Sequence, residues 1–582
     1  MAFFDLHFHP TFKKFLTKYE DKLGSQRNFE ELESDIVLKN KVLNWLDKYL
    51  LRILNSQSSI KSCFAGDTRL GIASLCNLEL GYADSQGFMA ELLQSKITDP
   101  LDKKYFDAIT KREISYYKMM LKELDLYRTI CKNDKRVEMI CRRDHSNLSQ
   151  MKNSTQLKLL ISLEGSHNLS RYRVGHLTPL KYDEVKDSDS HLPNDSFLES
   201  LRQSPKIGTD VVESFKNFMQ LLWDNGMDML CMNITHVSFI SSQDIATHAF
   251  AMKMLHHPTF FPLRSGLSVN GERLVKAFSD LELKDKNGNL KKAPVLIDIK
   301  HLSLSSRKDL YEFRRKEGIK LPMVASHVGV TGYAEELWKS SIYKTKVEAV
   351  TTNSYKMQMR KRVSGIIKNK AHYFNPWSIN LMNEDIKEIL ESNGLIGISL
   401  DVRILGFPQL LGPKEKGDKE YISKQDFEVL FPDIKAVKDS HLAEVKAEDD
   451  DENQYPNKAE SQILCFALNV IHIINVAYMH SPKTKNPWDH ICVGSDYDGL
   501  IEPIQKCTSI ADIDELKEAL LSDDHGLLTA AEVYYKQNGG QRKIKEELAD
   551  KNFRKKVVDK IMYENGERFV NNWLAGKPGA AV

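Results

Sequence analysis

Side chains that can bind metal or move protons recur at one kind of position in this sequence, the end of a short apolar run. Eight such runs are rich in β-forming residues, and each stops at a polar or ionisable residue. The residues at or just after these ends that could do chemistry are His7, His9, Glu164, His236, His301, His327 and Asp496. Five of these seven are histidines, although the whole chain has only 18. This clustering indicates a metal centre.

His7 and His9 stand two apart on a predicted strand, so both imidazoles point to the same face and can share one metal. An isolated H-x-H pair is weak evidence, and His301 or His327 taken alone is better explained as a hydrogen-bonded core histidine. Their recurrence on successive strand ends makes coincidence a poor explanation.

The number of donors predicts how many metals fit. Four histidines with Glu164 and Asp496 exceed what one zinc ion with an open position uses. Two zinc ions, or another divalent pair, account for the set if Glu164 bridges them. His7 and His9 then complete one site, and His301 and His327 complete the other.

Paired ions of this kind hold a bridging water whose pKa falls to about 7, which supplies hydroxide at neutral pH. Asp496 is predicted to take the proton of that water and pass it to the leaving group. His236 is predicted to polarise the scissile carbonyl and so to contact substrate. The constellation is typical of a hydrolase.

The elements that position these residues are predicted to be parallel strands buried on both faces, since their apolar runs are nearly continuous. The runs span 2–9, 70–76, 157–164, 228–236, 294–301, 322–327, 394–401 and 490–496. Amphipathic helical stretches lie between most of them. The alternation predicts an α/β fold, a (β/α)8 TIM-type barrel, whose active site lies at the carboxyl ends of the strands.

A bare barrel needs about 250 residues, whereas this chain has 582. We expect one elaborated domain over residues 1–575 and a flexible tail at 576–582. The excess is assigned to loop insertions near 17–62, 170–206, 333–374 and 407–461.

Composition narrows the class of protein. Lys and Arg number 82 against 80 Asp and Glu, so no global charge attracts nucleic acid or an anionic membrane. The eight cysteines contain no C-x-x-C and indicate buried, reduced thiols. No secretory signal pattern is seen, which predicts a cytoplasmic protein unless a leader has been removed. The apolar stretch 463–478 carries polar residues at helical spacing and is predicted to pack on a core rather than in lipid.

The motifs resemble those of the membrane (renal) dipeptidase family, peptidase family M19, within the amidohydrolase superfamily. The resemblance is carried by DLHFHP at Asp5, ISLEGSH at Ile161, NITH at Asn233, GLSVNGERLV at Gly266, VLIDIKHLS at Val295, VASH at Val324, VGSDYDG at Val493 and ENGERF at Glu564. These motifs occur in the family's order over nearly the whole chain. The resemblance implies a binuclear zinc barrel that hydrolyses a small dipeptide or related amide. It also implies His7, Glu164, His301 and His327 as ligands, Asp496 as acid and base, and His236 as a substrate contact.

Two departures from the family pattern stand out. His9 occupies the place of an aspartate in the family's eukaryotic enzymes, which removes a negative charge from the metal site. The family's arginine for the substrate carboxylate has no counterpart in the stretch from Asn375, and Arg360, Arg362 or Arg403 is the predicted substitute. Asp498 is left open between orienting a ligand and marking a turn, and Asp5 and Asp298 between accepting a ligand's imidazole proton and a purely structural role.

Two alternatives to a dipeptidase stay open. The first is another binuclear amidohydrolase or a phosphoesterase, because some phosphatases also begin D-x-H-x-H-P. The second is a non-catalytic barrel that the metals stabilise and whose insertions bind a partner. A homodimer is compatible with either enzyme reading.

Overall fold

The computed structural model describes most of the predicted barrel and part of each insertion. The described residues are 2–17, 28–38, 47, 55–84, 103–110, 115–144, 148, 151–170, 210–239, 243–251, 258–342, 348–349, 354–407, 418–434, 458–481 and 484–578. The predicted insertion near 170–206 lies outside the described residues apart from Ser170. The predicted tail at 576–582 is described only to residue 578.

A parallel sheet organises the described chain. Its barrel strands are β1 Phe3–Phe8, β2 Thr68–Leu75, β3 Leu157–Glu164, β4 Met229–Asn233, β5 Leu296–Asp298, β6 Met323–Val328, β7 Leu395–Ile398 and β8 Ile491–Val493. Neighbours in the sheet follow this chain order, and every pairing is parallel. The backbone closes the ring where Asp496 N–H donates to His7 O at 2.9 Å and His9 N–H donates to Tyr497 O at 2.9 Å. The (β/α)8 TIM-type fold predicted from the sequence is confirmed.

Helices connect successive strands on the outside of the barrel. From the β1–β2 connection to the residues after β8 they include Ile60–Ala65, Tyr116–Asn133, Val211–Asp224, Val269–Ser279, Leu304–Lys316, Asn383–Glu391, Lys458–His480 and Ile513–Leu521. The chain then continues through Leu527–Asn538, Arg542–Ala549, Lys551–Asp559 and Asn565–Leu574. Shorter helices are Phe12–Thr17, Phe29–Glu33, Leu80–Asp84, Lys103–Thr110, Glu335–Ser340, Val402–Leu405 and Lys424–Leu430.

Two of the predicted insertions contain strands of their own. Strands Glu348–Ala349, Ser354–Met359 and Asp418–Ser423 form an antiparallel sheet that joins the insertion near 333–374 to the one near 407–461. Val363–Ile367 and Lys370–Tyr373 form a hairpin. These inserted segments pair with one another rather than extending the barrel.

A buried apolar layer lies inside the barrel before the strand ends. It contains a residue from every strand: Leu6, Ile72, Leu160, Leu230, Leu296, Val324, Leu395 and Cys492. Leu160 stands four residues before Glu164, and Leu296 five before His301. Because residues later in each strand lie nearer its carboxyl end, this apolar layer lies below the side chains of Glu164 and His301.

The apolar helix Lys458–His480 packs within the protein. Its length and composition alone would allow it to cross a membrane, but 83% of its most apolar window is buried inside the described structure. Its polar side chains have partners there: Asn469 Oδ1 accepts from Val330 N–H at 2.8 Å, and His472 lies 2.8 Å from Tyr534 Oη. The predicted core helix is confirmed. All eight cysteines are free thiols in this structure; seven are buried and Cys131 is partly exposed.

Candidate metal centre

The Glu164 carboxylate lies at the centre of the histidines that the sequence predicted as ligands. Its Oε1 is 3.0 Å from His301 Nε2, 3.4 Å from His7 Nε2 and 3.5 Å from His327 Nε2. Its Oε2 is 3.4 Å from His9 Nε2. One carboxylate therefore faces all four imidazoles, which is the arrangement a bridging ligand requires.

Local backbone geometry brings these residues together. Glu164 is the last residue of β3 and His327 lies near the end of β6. His301 follows β5 with a positive φ of 71°, a conformation that costs a non-glycine residue energy. The turn at this position places its Nε2 3.2 Å from His327 Nε2.

Asp496 follows β8, which lies next to β1 in the closed ring, and faces the same cluster. Its Oδ1 is 3.5 Å from His9 Nε2 and 3.9 Å from His7 Nε2, while Oδ2 is 4.0 Å from His327 Nε2. The Asp496 side chain is 15% exposed, against 4% for Glu164, so it is the more accessible carboxylate. Like His301 it has a positive φ, 62°.

The protonation states favour metal binding. Burial, which penalises the charged imidazolium, lowers the pKa of His301 to about 3 and that of His327 well below its usual range. Burial alone would raise the pKa of Glu164, but the surrounding histidines, His236 and His7 foremost, hold it well below its ordinary value. Neutral imidazoles at His301 and His327 beside an ionised Glu164 are the forms in which these residues ligate divalent cations. At His9, burial lowers the pKa, but the contact with Asp496 and the charge of Glu164 outweigh burial and raise it.

The buried nitrogens are left without protein partners, as expected of metal ligands. His7 and His9 are at most 1% exposed, and neither ring nitrogen of either residue has a hydrogen-bond partner among the described residues. Among the described residues, four donor groups have atoms mutually within 4.8 Å, and three of them lie in this cluster: His7–His9–Asp496, His7–Glu164–His327 and Glu164–His236–His301. The fourth, Cys76–His167–His236, adjoins it. The nitrogen and oxygen donors fit zinc or a similar divalent ion.

His236 lies beside this cluster and is oriented by a residue that sequence reasoning missed. Its Nε2 is 3.7 Å from Glu164 Oε1, and its Nδ1 is 2.7 Å from Glu79 Oε1. Glu79 is 1% exposed and also accepts from Val237 N–H at 3.3 Å. Burial lowers the pKa of His236, but the charges of Glu79 and Glu164 outweigh it and raise that pKa to about 9. His236 therefore presents an Nε2–H donor to the site.

The signal for Glu79 in the sequence was slight. The end of β2 was the only strand end before β7 to which no functional residue was assigned, and Glu79 follows it in the segment NLEL. Only the fold shows that this loop reaches the residue after β4.

Replacing Glu79 with Gln is expected to reduce kcat/KM by about 10- to 100-fold, because the amide supplies no charge to hold His236 protonated. Metal content should stay unchanged, since Glu79 contacts His236 and none of the predicted ligands. Steady-state kinetics and metal analysis check both parts. Glu420→Gln is the matched control. Glu420 lies on the inserted strand Asp418–Ser423, is as buried as Glu79, and accepts from Ser378 N–H. Equal kinetics in the two variants would contradict a positioning role for Glu79.

Asp498 has a structural role. Its carboxylate accepts from Gln57 N–H at 2.7 Å, from Ser58 N–H at 2.9 Å, and from Lys13 Nζ at 2.8 Å. It therefore anchors the residues that lead into β2. Asp5 likewise accepts from the backbone of His7 and Ser495.

Asp298 completes the set of minor candidates. It accepts from the backbone of Lys300 and Ser326 at 3.1 Å each. Neither Asp5 nor Asp298 has a hydrogen bond to an imidazole of the cluster, so the structural reading holds for both.

Replacing Asp498 with Ala is expected to destabilise the protein by about 3–5 kcal/mol, because two buried amides and a buried ammonium lose their shared acceptor. Denaturant unfolding followed by circular dichroism measures the loss. Asp498→Asn keeps an acceptor oxygen and should cost less. A loss below about 1 kcal/mol for Asp498→Ala would show that the anchor is unimportant.

Of the arginines predicted to bind a substrate carboxylate, Arg403 is bound by Asp401 and Arg360 is exposed. Arg403 Nε and Nη2 bind Asp401 at 2.9 and 2.5 Å, and Nη2 also donates to Leu500 O at 3.0 Å. Arg360 is exposed just after the inserted strand Ser354–Met359. A substrate contact stays a prediction for all three.

Solved structures provide the comparisons for this chain. The dipeptidase AC, a metallopeptidase of family M19, is 13% identical with a TM-score of 0.43, covering 100% of this chain and 99% of its own. The probable dipeptidase PvdM from Pseudomonas aeruginosa is 10% identical with a TM-score of 0.42, covering 90% of each chain. A metallopeptidase from Rhodobacter sphaeroides, liganded with a phosphinate mimic of the dipeptide L-Ala-D-Ala, is 12% identical with a TM-score of 0.39, covering 96% and 99%.

A scan against protein-family models and a search of curated proteins find no match. The barrel fold is established by the strand order of this chain. The family named for the first of these structures, M19, is the one that the sequence motifs resemble.

Proposed function

We propose that this protein is a binuclear metal-dependent hydrolase, specifically a zinc dipeptidase that cleaves the peptide bond of a small dipeptide. The observation that carries the proposal is the Glu164 carboxylate, with one oxygen toward His301, His7 and His327 and the other toward His9. The motif resemblance given above supplies the substrate class.

The residues present divide between two ions. His7 and His9 would hold one ion, His301 and His327 the other, and Glu164 both. Divalent ions bound there would lower the pKa of water and polarise the substrate carbonyl. With His9 in place of an aspartate, Glu164 would be the ligand that supplies negative charge to both ions.

In this proposal Asp496 carries out the proton transfers. Burial raises the pKa of this carboxyl, which suits a group that takes a proton from the attacking water and releases it again. In the proposed reaction it passes that proton to the nitrogen of the scissile peptide bond as the C–N bond breaks. Its side chain is 15% exposed against 4% for Glu164, which supports giving the proton transfers to Asp496 rather than to Glu164.

His236 stabilises the charge that develops on the substrate. Its Nε2–H points toward Glu164, so a carbonyl oxygen bound above that carboxylate can accept from it. Such a donor contributes most when negative charge accumulates on that oxygen, which lowers the barrier rather than only tightening binding.

Release of free amino acids from a panel of dipeptides of both C-terminal stereochemistries tests the proposal. Zinc-loaded protein is expected to hydrolyse at least one member, and chelated protein to hydrolyse none. A chromogenic phosphoester serves as the competing substrate. Turnover of the phosphoester with no turnover of any dipeptide would overturn the peptidase proposal.

A further inference from the structure

A second group of metal-binding side chains lies beside the proposed binuclear centre, just after β2, β3 and β4. Cys76 directly follows β2, His167 stands three residues after the end of β3, and His236 three residues after the end of β4. One donor atom from each of the three lies within 4.8 Å of the other two. These strands are neighbours in the sheet, so parallel pairing brings their carboxyl ends to the same part of the rim.

The spacing of the sulfur and nitrogen donors is close to that around a bound cation. Cys76 Sγ is 4.0 Å from His236 Nδ1. In a tetrahedral zinc site a sulfur ligand and a nitrogen ligand lie about 3.5 Å apart. A small side-chain rotation covers that difference. The only other contact given for the Cys76 thiol within its own loop is a long one, 3.6 Å to Asn77 O.

Glu79 supplies a fourth donor and a negative charge. Its Oε1 lies 2.7 Å from His236 Nδ1, whereas its Oε2 is buried and has no hydrogen-bond partner among the described residues. Burial alone would raise the pKa of Glu79, but the charge of His236 outweighs it and lowers that pKa to about 2. A buried carboxylate oxygen without a donor is costly unless a cation compensates its charge.

His167 is held in the form that ligates a metal. Its Nε2 donates to Asn77 O at 2.9 Å, because a carbonyl can only accept, and Nδ1 therefore keeps its lone pair. Burial lowers the pKa of His167, which keeps the ring neutral. At Gly165, where φ is 91°, a Cβ would stand 2.5 Å from His167 Nδ1 and 2.8 Å from His236 Cβ. Glycine therefore leaves the two histidines the space to approach each other.

The donors of this group differ in kind from those of the binuclear centre. The predicted ligands of that centre offer nitrogen and oxygen, whereas Cys76 adds sulfur, which favours thiophilic cations such as Zn²⁺ and Cd²⁺ over Mg²⁺. Binding displaces one proton from the Cys76 thiol and one from His236 Nδ1, and both go to solvent. This competition with protons makes the group weaker than the binuclear centre, so it fills when the cation is in excess. The His236 side chain is 11% exposed, which gives the cation access.

We propose that Cys76, His167 and His236, with Glu79, bind a third divalent cation of the thiophilic class. The group shares no ligand with the two ions of the proposed centre. A cation bound there replaces the hydrogen bond between Glu79 and His236, and so links cation concentration to the residue proposed to contact substrate. The existence of the third site does not depend on the proposed function, because binding is measured without substrate.

Titration of the zinc-loaded protein with Cd²⁺ tests the site through the ultraviolet charge-transfer absorption of a cadmium–thiolate bond. The wild-type protein is expected to develop this absorption as it takes up one cadmium ion beyond its two zinc ions. Cys76→Ala should abolish the absorption and weaken binding of the third ion by at least about 100-fold, more than for a residue that only orients a ligand. Metal analysis of the same samples shows whether both zinc ions stay bound.

Cys231→Ala is the matched control, since Cys231 is also buried, lies on the neighbouring strand β4, and belongs to none of the donor groups among the described residues. It should titrate like the wild type. His167→Gln keeps the thiol and removes one imidazole, so it should weaken cadmium binding even if Cys76→Ala does not fold.

Two results would overturn the inference: cadmium–thiolate absorption that is unchanged in both Cys76→Ala and His167→Gln, or wild-type protein that takes up no ion beyond two at saturating Cd²⁺. Hydrolysis of dipeptides by a protein of the second kind would leave the proposed function standing. A third ion bound at Cys76 in a protein that hydrolyses no dipeptide would instead sustain this inference and remove the proposed function.

Discussion

Asp496→Asn is expected to lower kcat for dipeptide hydrolysis by about 10²- to 10⁴-fold, the range of general acid–base catalysis. The amide cannot take a proton from water or return one to the leaving nitrogen. Because the amide is nearly isosteric with the carboxylate, the contacts of Asp496 with His9 and His327 should keep their geometry. Both metals and the melting temperature should therefore be retained.

Kinetics and metal analysis of the same protein batch decide this prediction. Asp498→Asn is the matched control, since Asp498 lies two residues away, also has a positive φ, and binds Gln57, Ser58 and Lys13 rather than the histidines. We expect near-normal kcat for that variant. If Asp496→Asn instead loses one metal, Asp496 is a ligand beside His7 and His9 rather than a proton shuttle.

Glu164→Gln is expected to remove both metals, because one carboxylate serves both proposed sites. Its two oxygens face different histidines, so the loss of its negative charge weakens each site together. The affinity for metal should fall by at least about 100-fold, which is more than the loss expected when a residue that only orients a metal ligand is removed. Metal content after dialysis should drop from two ions per chain to fewer than one.

His301→Ala provides the contrast for that experiment. His301 Nε2 lies 3.2 Å from His327 Nε2, its partner in the proposed second site, so its loss should remove the ion of that site and leave the His7–His9 site loaded. Metal bound only to the folded state stabilises it by mass action, by about 4 kcal/mol at 1,000 times the dissociation constant. The melting temperature should therefore fall in the order wild type, His301→Ala, Glu164→Gln. Two ions retained in Glu164→Gln would show that Glu164 is not a bridge.

The strands and most of the predicted ligands could be read from the sequence for one physical reason. Strands buried on both faces must be apolar throughout, so each polar residue that ends such a run is conspicuous. Closing a parallel barrel then brings all those ends to one rim. His7, Glu164 and His327 could be predicted from the strand ends alone. In the structure Glu164 Oε1 lies 3.4 Å from His7 Nε2 and 3.5 Å from His327 Nε2.

Residues outside the strands were decided by tertiary structure. Glu79 lies in a loop, where no periodicity constrains a side chain, and its contact with His236 joins positions 157 residues apart. The roles of Asp496 and Asp498 could not be separated by their spacing, because the positive φ at both positions turns one toward the histidines and the other toward Gln57.

The sequence by itself determined the class of fold, the strand ends and the chemical nature of the donors, because burial and alternation act locally along each strand. Only the tertiary structure decided which donors share Glu164 and how His236 is oriented. Those properties depend on distances between strands that are far apart in the chain. Such distances are set by barrel closure and packing, which no local pattern records.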